Sequence, residues 1–187
     1  MNAKSILLVS SFLLLVWTSL LGCQLLSEKV KKLDDEKEIN LNELSYVILP
    51  YKPAFQTDFD TEGTYRCTKL NPEELVNAEK ILSTAILKYN CEQETRIERL
   101  KELIPDYDFK AEDFSINLKD YSRQYIPVIN EREEKEIWIN FFCDQVKEHP
   151  YWEKEVIFVM DGGKCYFSIV VNLSTMNYSK FYVNGGA

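Results

Sequence analysis

Few side chains in this sequence are of types that carry chemistry, and their spacing limits what each could do. The single histidine, His149, sits in Lys147-Glu148-His149-Pro150. A Ser–His–Asp or Cys–His arrangement would have to use it, but a lone loop histidine beside proline reads as a solvated residue. Asp58-Phe59-Asp60-Thr61-Glu62-Gly63 opens like a calcium loop. The twelfth position of such a loop falls on Lys69, where a bidentate glutamate is required, so an acidic turn is the reading. Asp161-Gly162-Gly163 has neither the lysine nor the helix that should follow a phosphate cradle, and reads as a hairpin turn. The cysteines are dispersed and lack the short spacing of a zinc site. With 30 acidic residues a glycosidase-type carboxylate pair is open, but no spacing selects one. The expectation is no catalytic residue, no metal and no cofactor.

The start of the chain is more specific. Met1–Lys4 holds one lysine, Ser5–Leu21 is an apolar run, and Gly22-Cys23 closes it. This is the pattern of a secretory signal, although its length would also suit an uncleaved membrane anchor. Leu20-Leu21-Gly22-Cys23 resembles the lipobox of bacterial lipoproteins. The resemblance implies cleavage before Cys23, diacylation of Cys23 and tethering to the bacterial cell envelope. Leu21 is bulkier than that motif usually has. Gln24, in place of an aspartate, implies an outer-membrane destination in a diderm cell. The domain plan is a signal peptide over 1–22, a lipidated N-terminus and charged tether over 23–44, and one domain over 45–187. The formal net charge of the whole chain is −8. An acidic chain without a basic patch is a poor partner for nucleic acid and suits a basic protein.

With Cys23 assigned to lipid, Cys67, Cys91, Cys143 and Cys165 remain as disulfide candidates in an exported domain. Cys67 and Cys91 flank an expected helix about 27 Å long, beyond the disulfide reach of about 7 Å. Cys143 ends one expected strand, and Cys165 begins another placed two strands later. Two connectivities survive this geometry: 67–143 with 91–165, or 67–165 with 91–143. Four buried thiols are the other reading.

The elements that would position these residues are legible from periodicity. Asn71-Pro72-Glu73-Glu74 starts a helix, with Leu75, Ala78, Leu82, Ala85, Ile86 and Tyr89 on one stripe. Asn90 is a candidate stop. Gln93–Ile104, with Ile97, Leu100 and Ile104 on one side, is a second helix or a continuation of the first. Strands follow over Arg123–Ile129, Glu136–Cys143, Val156–Met160 and Cys165–Leu173, with Phe181–Val183 a possible fifth and Tyr46–Leu49 a short edge strand. Hairpins are expected at Asn130–Glu134 and Asp161–Gly163, and Pro127 pushes its strand toward an edge. The fold class is α+β, with N-terminal helices packed on a four- to five-stranded antiparallel meander sheet. In element order this resembles the cystatin-like and nuclear-transport-factor-like arrangements. The runs RQYIPVIN, EIWINFFC, DGGKCYF and FYVNGGA are similar to runs in exported bacterial proteins with no known activity.

One sheet face should lie under the helix. The other carries Trp138, Asn140 and Phe142 from one strand and Tyr166, Ser168, Val170 and Asn172 from the next, with Tyr125 and Ile129 expected to join them. Aromatic side chains interleaved with polar ones suit a groove for a peptide or glycan, unless Gln93–Ile104, Tyr46–Leu49 or a second subunit covers them. Three functions follow: a tethered, non-enzymatic binding or structural module; an inhibitor or immunity-type protein acting on a secreted enzyme; and a carboxylate-dependent envelope hydrolase.

Overall fold

The computed structural model describes residues 39–58, 62–143, 150–159 and 161–185. The leader, Cys23, the tether up to Glu38, residues 59–61 of the calcium-loop mimic and His149 lie outside the described residues. The elements run β1 (Tyr46–Ile48), α1 (Phe55–Asp58), β2 (Arg66–Cys67), α2 (Pro72–Leu103), β3 (Tyr121–Ile129), β4 (Lys135–Cys143), β5 (Tyr166–Asn172) and β6 (Asn177–Val183). The fold is α+β. It is richer in sheet than expected, and one long helix stands where two were left open.

Helix α2 begins as its sequence dictates. The Asn71 side chain accepts from Glu74 N, the Glu74 carboxylate accepts from Asn71 N, and Pro72 takes the first turn. Asn90 does not stop it. Its carboxamide turns sideways and grips the returning chain, donating to Ile116 O and accepting from Ile116 N, both at 2.8 Å. The helix runs on until Ile104, the residue before Pro105, where the α conformation becomes unfavourable.

The sheet has six strands in the order β1-β3-β4-β5-β6, with β2 also on β3. All pairs are antiparallel except β1 with β3, which is parallel. β3 is therefore not an edge strand. Arg123 N donates to Ser45 O and Tyr125 O accepts from Leu49 N, so the odd residues of β3 turn their backbone groups toward β1. Pro127 follows on that side, between the Tyr125 partnered by β1 and the Val128 partnered by β2. Its missing donor falls in the gap between two short strands, which is how a proline is tolerated inside a sheet.

Side-chain alternation sorts the core into two layers. Ile137, Ile139, Phe141, Phe167, Ile169 and Val171 pack under Leu75, Ala78, Leu82, Ala85 and Ile86 of α2, as the period-2 and helical stripes predict. Each of the larger side chains among them, the alanines aside, contributes about 1.5–3 kcal/mol when fully buried. The far face holds Ile126, Val128, Trp138 and Val170 under Leu49 and Phe55.

The expected strand over Val156–Met160 is absent from its described residues, 156–159. Residues 151–159 instead form a strap without regular structure across the far face. Gln124 Nε2 donates to Trp152 O at 2.5 Å and to Glu155 O at 2.7 Å, and its Oε1 accepts from Ile157 N at 2.8 Å. Asn140 Nδ2 donates to Ile157 O at 2.7 Å, and Asn184 Nδ2 donates to Val159 O. Gly162 and Gly163 do adopt positive φ, but they lead into a 3-10 turn over Gly163–Cys165 instead of a hairpin. A Cβ on Gly162 would meet the Tyr166 ring at 2.7 Å, so this position requires glycine on steric grounds as well.

Candidate functional site

The missing strand corrects the cysteine reading. Because β4 pairs directly with β5, Phe142 faces Tyr166, and the next positions outward are Cys143 and Cys165. They are bridged, with Cα atoms 5.0 Å apart. Both helix-to-sheet connectivities are thereby overturned. Cys67 is exposed on β2 and Cys91 half-buried on α2, and neither is bridged. Four buried thiols are excluded as well.

The expected binding face is present but covered, and Tyr125 does not belong to it: the side-chain alternation of β3 turns Tyr125 into the helix-facing layer, where it bonds Glu79. Trp138 is 0 % exposed. Its ring lies 5.5 Å from Tyr51 and 4.7 Å from Tyr65, in edge-on contacts. Phe142 is also fully buried, with Trp152 of the strap 5.8 Å away. Asn140 holds the strap, and Tyr166 is half-buried. The cover comes from the chain following β1 and from the strap, the second of which the sequence reading had made a strand.

A different site stands at one end of the sheet, where the β3–β4 and β5–β6 turns meet. It is an open cavity of about 440 Å³, lined chiefly by Asn130, Glu131, Glu134, Glu136, Asn172 and Tyr178, with Glu62 and Arg132 at its wall. Two asparagines build it by the same device. Asn130 Oδ1 accepts from Arg132 N and Glu134 N, holding its own turn. Its Nδ2 donates to Glu134 Oε2 at 3.1 Å and to Glu136 Oε1 at 2.8 Å. Asn172 Oδ1 accepts from Ser174 N and Thr175 N, and its Nδ2 donates to Glu134 Oε2 at 3.0 Å. Glu131 Oε1 accepts from Thr64 N at 2.8 Å, tying in the chain before β2.

Lys135 on β4 pairs with Glu74 on α2 at 2.6 Å, so this cation is directed to the helix. The lining carboxylates outnumber the one lining cation, Arg132, and the field at the mouth is negative. Hydrogen bonds from Asn130 and Asn172 hold the Glu134 carboxyl below the usual carboxylate range, with help from Arg132. Such a group is a fixed anion. A glycosidase acid needs the opposite shift, so Glu134 suits cation binding better than general acid catalysis.

The other polar cluster is sealed. Arg123 pairs with Glu79 of α2 and donates to Leu118 O at 2.7 Å, and Tyr125 Oη donates to Glu79 Oε1 at 2.5 Å. Burial and the Glu79 charge push the Tyr125 hydroxyl well above its usual range. All three side chains lie buried between helix and sheet, and the cluster reads as structural. Among the described residues no group of three or more His, Cys, Asp or Glu could hold a metal ion, and no helix is long and apolar enough to cross a membrane.

Comparison of the chain with known protein families, with curated proteins and with solved structures finds no match. The pocket residues were missed because no motif links them. They lie on two turns some forty positions apart. The one available signal was that Asn130 and Asn172 each follow or end an apolar strand, where asparagine commonly caps a turn.

Proposed function

We propose that this chain is a lipid-anchored, exported, non-enzymatic binding module of the bacterial envelope, directed to the outer membrane in a diderm cell, and that its acidic end-pocket meets a basic group on a protein partner. The observation that carries the reading is the apolar leader closed by Leu20-Leu21-Gly22-Cys23. The bridge between Cys143 and Cys165 supports it, because stable disulfides belong to oxidising compartments. The layout of a helix across antiparallel strands fits the cystatin-like resemblance and is part of the same reading.

The pocket favours a specific second reading, an inhibitor or immunity-type protein whose anionic end covers the basic surface of a secreted enzyme. Both readings use the same carboxylates, and enzyme inhibition assays with a captured partner would separate them. The hydrolase reading has less support, given the direction in which Glu134 is shifted. Tethering is tested by fractionation. Wild-type protein should be recovered with membranes and take up diacylglycerol label, whereas Cys23→Ala should take up no label. Label on Cys23→Ala, or soluble wild-type protein, would remove the anchored reading.

A further inference from the structure

Helix α2 is longer than the sheet it covers. Its 32 residues make a rod about 48 Å long, whereas the nine-residue strands β3 and β4 span about 30 Å. The start of the helix is fixed beside the acidic pocket, where Glu74 pairs with Lys135. The surplus must therefore emerge at the other end. Of the buried residues of α2 only Ile97 lies beyond Ile86, and it belongs to neither core layer. From Asn90, whose carboxamide meets Ile116, about 20 Å of helix continues past the core.

The overhang ends in an apolar tip. Leu103, Ile104 and Tyr107 are 71 %, 49 % and 62 % exposed. The turn after the helix, in which Tyr107 N donates to Ile104 O, draws them together. No other run of five described residues exposes three large apolar side chains. The charges around the tip cancel, with Arg99, Lys101 and Lys110 against Glu102, Asp106 and Asp108, in a chain whose formal net charge is −8. A neutral tip of aliphatic side chains and tyrosine, with long cations at its rim, suits the headgroup region of a bilayer. The interleaved carboxylates keep such a contact shallow.

The tip lies at the end of the sheet where the chain enters the fold. β1 runs parallel to β3, with Tyr46 opposite Arg123, and Ser122 Oγ donates to Ser45 Oγ. Entry is thus beside the first residues of β3, the end toward which α2 overhangs. Residues 24–38 separate Cys23 from Ile39 and can reach at most about 50 Å. An anchor with that reach leaves the domain free to turn, and it makes even a weak second contact with the same membrane intramolecular. We propose that Leu103, Ile104 and Tyr107 form a foot that rests in the headgroup layer of the membrane carrying the Cys23 lipid. The foot turns the acidic pocket, at the opposite end of the sheet, away from the bilayer and toward a partner. This inference rests on the anchored reading of Cys23.

The test uses the full chain, expressed with its leader and purified from membranes. It is placed in vesicles of phosphatidylethanolamine and brominated phosphatidylcholine, in which bromine quenches tryptophan on contact. Emission is read against the parent chain, so that the native tryptophans cancel. Tyr107→Trp should be strongly quenched, and Thr175→Trp, at the pocket end, should not. Leu103→Ser with Ile104→Ser in the Tyr107→Trp chain should remove most of that quenching while the protein stays on the vesicles. Added salt should leave the quenching unchanged, because the tip is neutral. Equal quenching at the two positions would overturn the foot. A tip that packs instead on a second copy or a protein partner would leave the Tyr107→Trp emission insensitive to bromine, which also overturns it. Protein without lipid on Cys23 would remove the anchored reading and the foot with it, whereas lipidated protein with unquenched Tyr107→Trp emission would remove the foot alone.

Discussion

Glu79 on α2 and Arg123 on β3 form an ion pair inside the core, at 4 % and 2 % exposure. Burial disfavours the Arg123 charge, but Glu79 and the Tyr125 hydroxyl more than offset this and raise its pKa. The pair fixes where the helix crosses the sheet, because only one placement puts the Glu79 carboxylate within reach of both Arg123 and Tyr125. Removing one partner leaves a buried charge uncompensated. Arg123→Met should therefore cost about 3–5 kcal/mol in urea unfolding, and Glu79→Leu combined with Arg123→Met should restore much of it. A double variant as unstable as the two losses added together would show that the pair is not coupled.

The cysteines give a covalent test of the sheet order. Peptide mapping without reductant should find a single bridge, Cys143–Cys165, with Cys67 and Cys91 alkylated as thiols. Closing a loop across a separation of 22 residues should be worth about 3 kcal/mol, so reduction should lower the unfolding midpoint accordingly. A bridge from Cys67 or Cys91 into the sheet would contradict the direct pairing of β4 with β5.

Acid should loosen the pocket end first. The carboxyls of Glu134 and Glu74 are both held below the usual carboxylate range, Glu134 by hydrogen bonds from Asn130 and Asn172, and Glu74, against the raising effect of its burial, by Lys135 and the hydrogen bond of its own cap. A carboxyl depressed in the folded state contributes stability that is fully present above its unfolded pKa and is lost as pH falls through the folded value. Stability should fall below about pH 4.5, and the fall should be shallower in Glu134→Gln. A steeper or unchanged acid slope in that variant would contradict the hydrogen-bond arrangement at Asn130 and Asn172.

Trp138 should behave as a core residue. In a variant that keeps Trp138 and carries phenylalanine at Trp17 and Trp152, acrylamide should barely quench its emission, since Tyr51 and Tyr65 close over the ring. Quenching like that of free indole would reopen this face as a surface.

The helix start, the stripe on α2, the β3–β4 hairpin and the helix-facing rows of β4 and β5 were all legible, because burial on one side imposes a period that survives in a single sequence. The strap was misread because Val156–Val159 is as apolar as a strand, and local composition does not reveal that Gln124 and Asn140 take up its backbone bonds. That one error displaced Cys165 from Cys143 and produced the wrong disulfides. The parallel placement of β1 on β3, which removed Pro127 from an edge, depends on contacts 77 residues apart, such as Ser122 with Ser45. The pocket carboxylates were hidden among 30 acidic residues, and only the turns gathered by Asn130 and Asn172 pick them out.

The binding reading is tested most directly by calorimetric titration of the folded domain with a short oligo-arginine peptide, at low and at moderate salt. Wild-type protein should bind saturably, more weakly as salt rises, and Glu134→Gln with Glu136→Gln should lose most of that binding while keeping the wild-type unfolding midpoint at neutral pH to within a few degrees. Equal binding by the wild type and the double variant, or none by either, would contradict the acidic pocket as the place where this protein meets a partner.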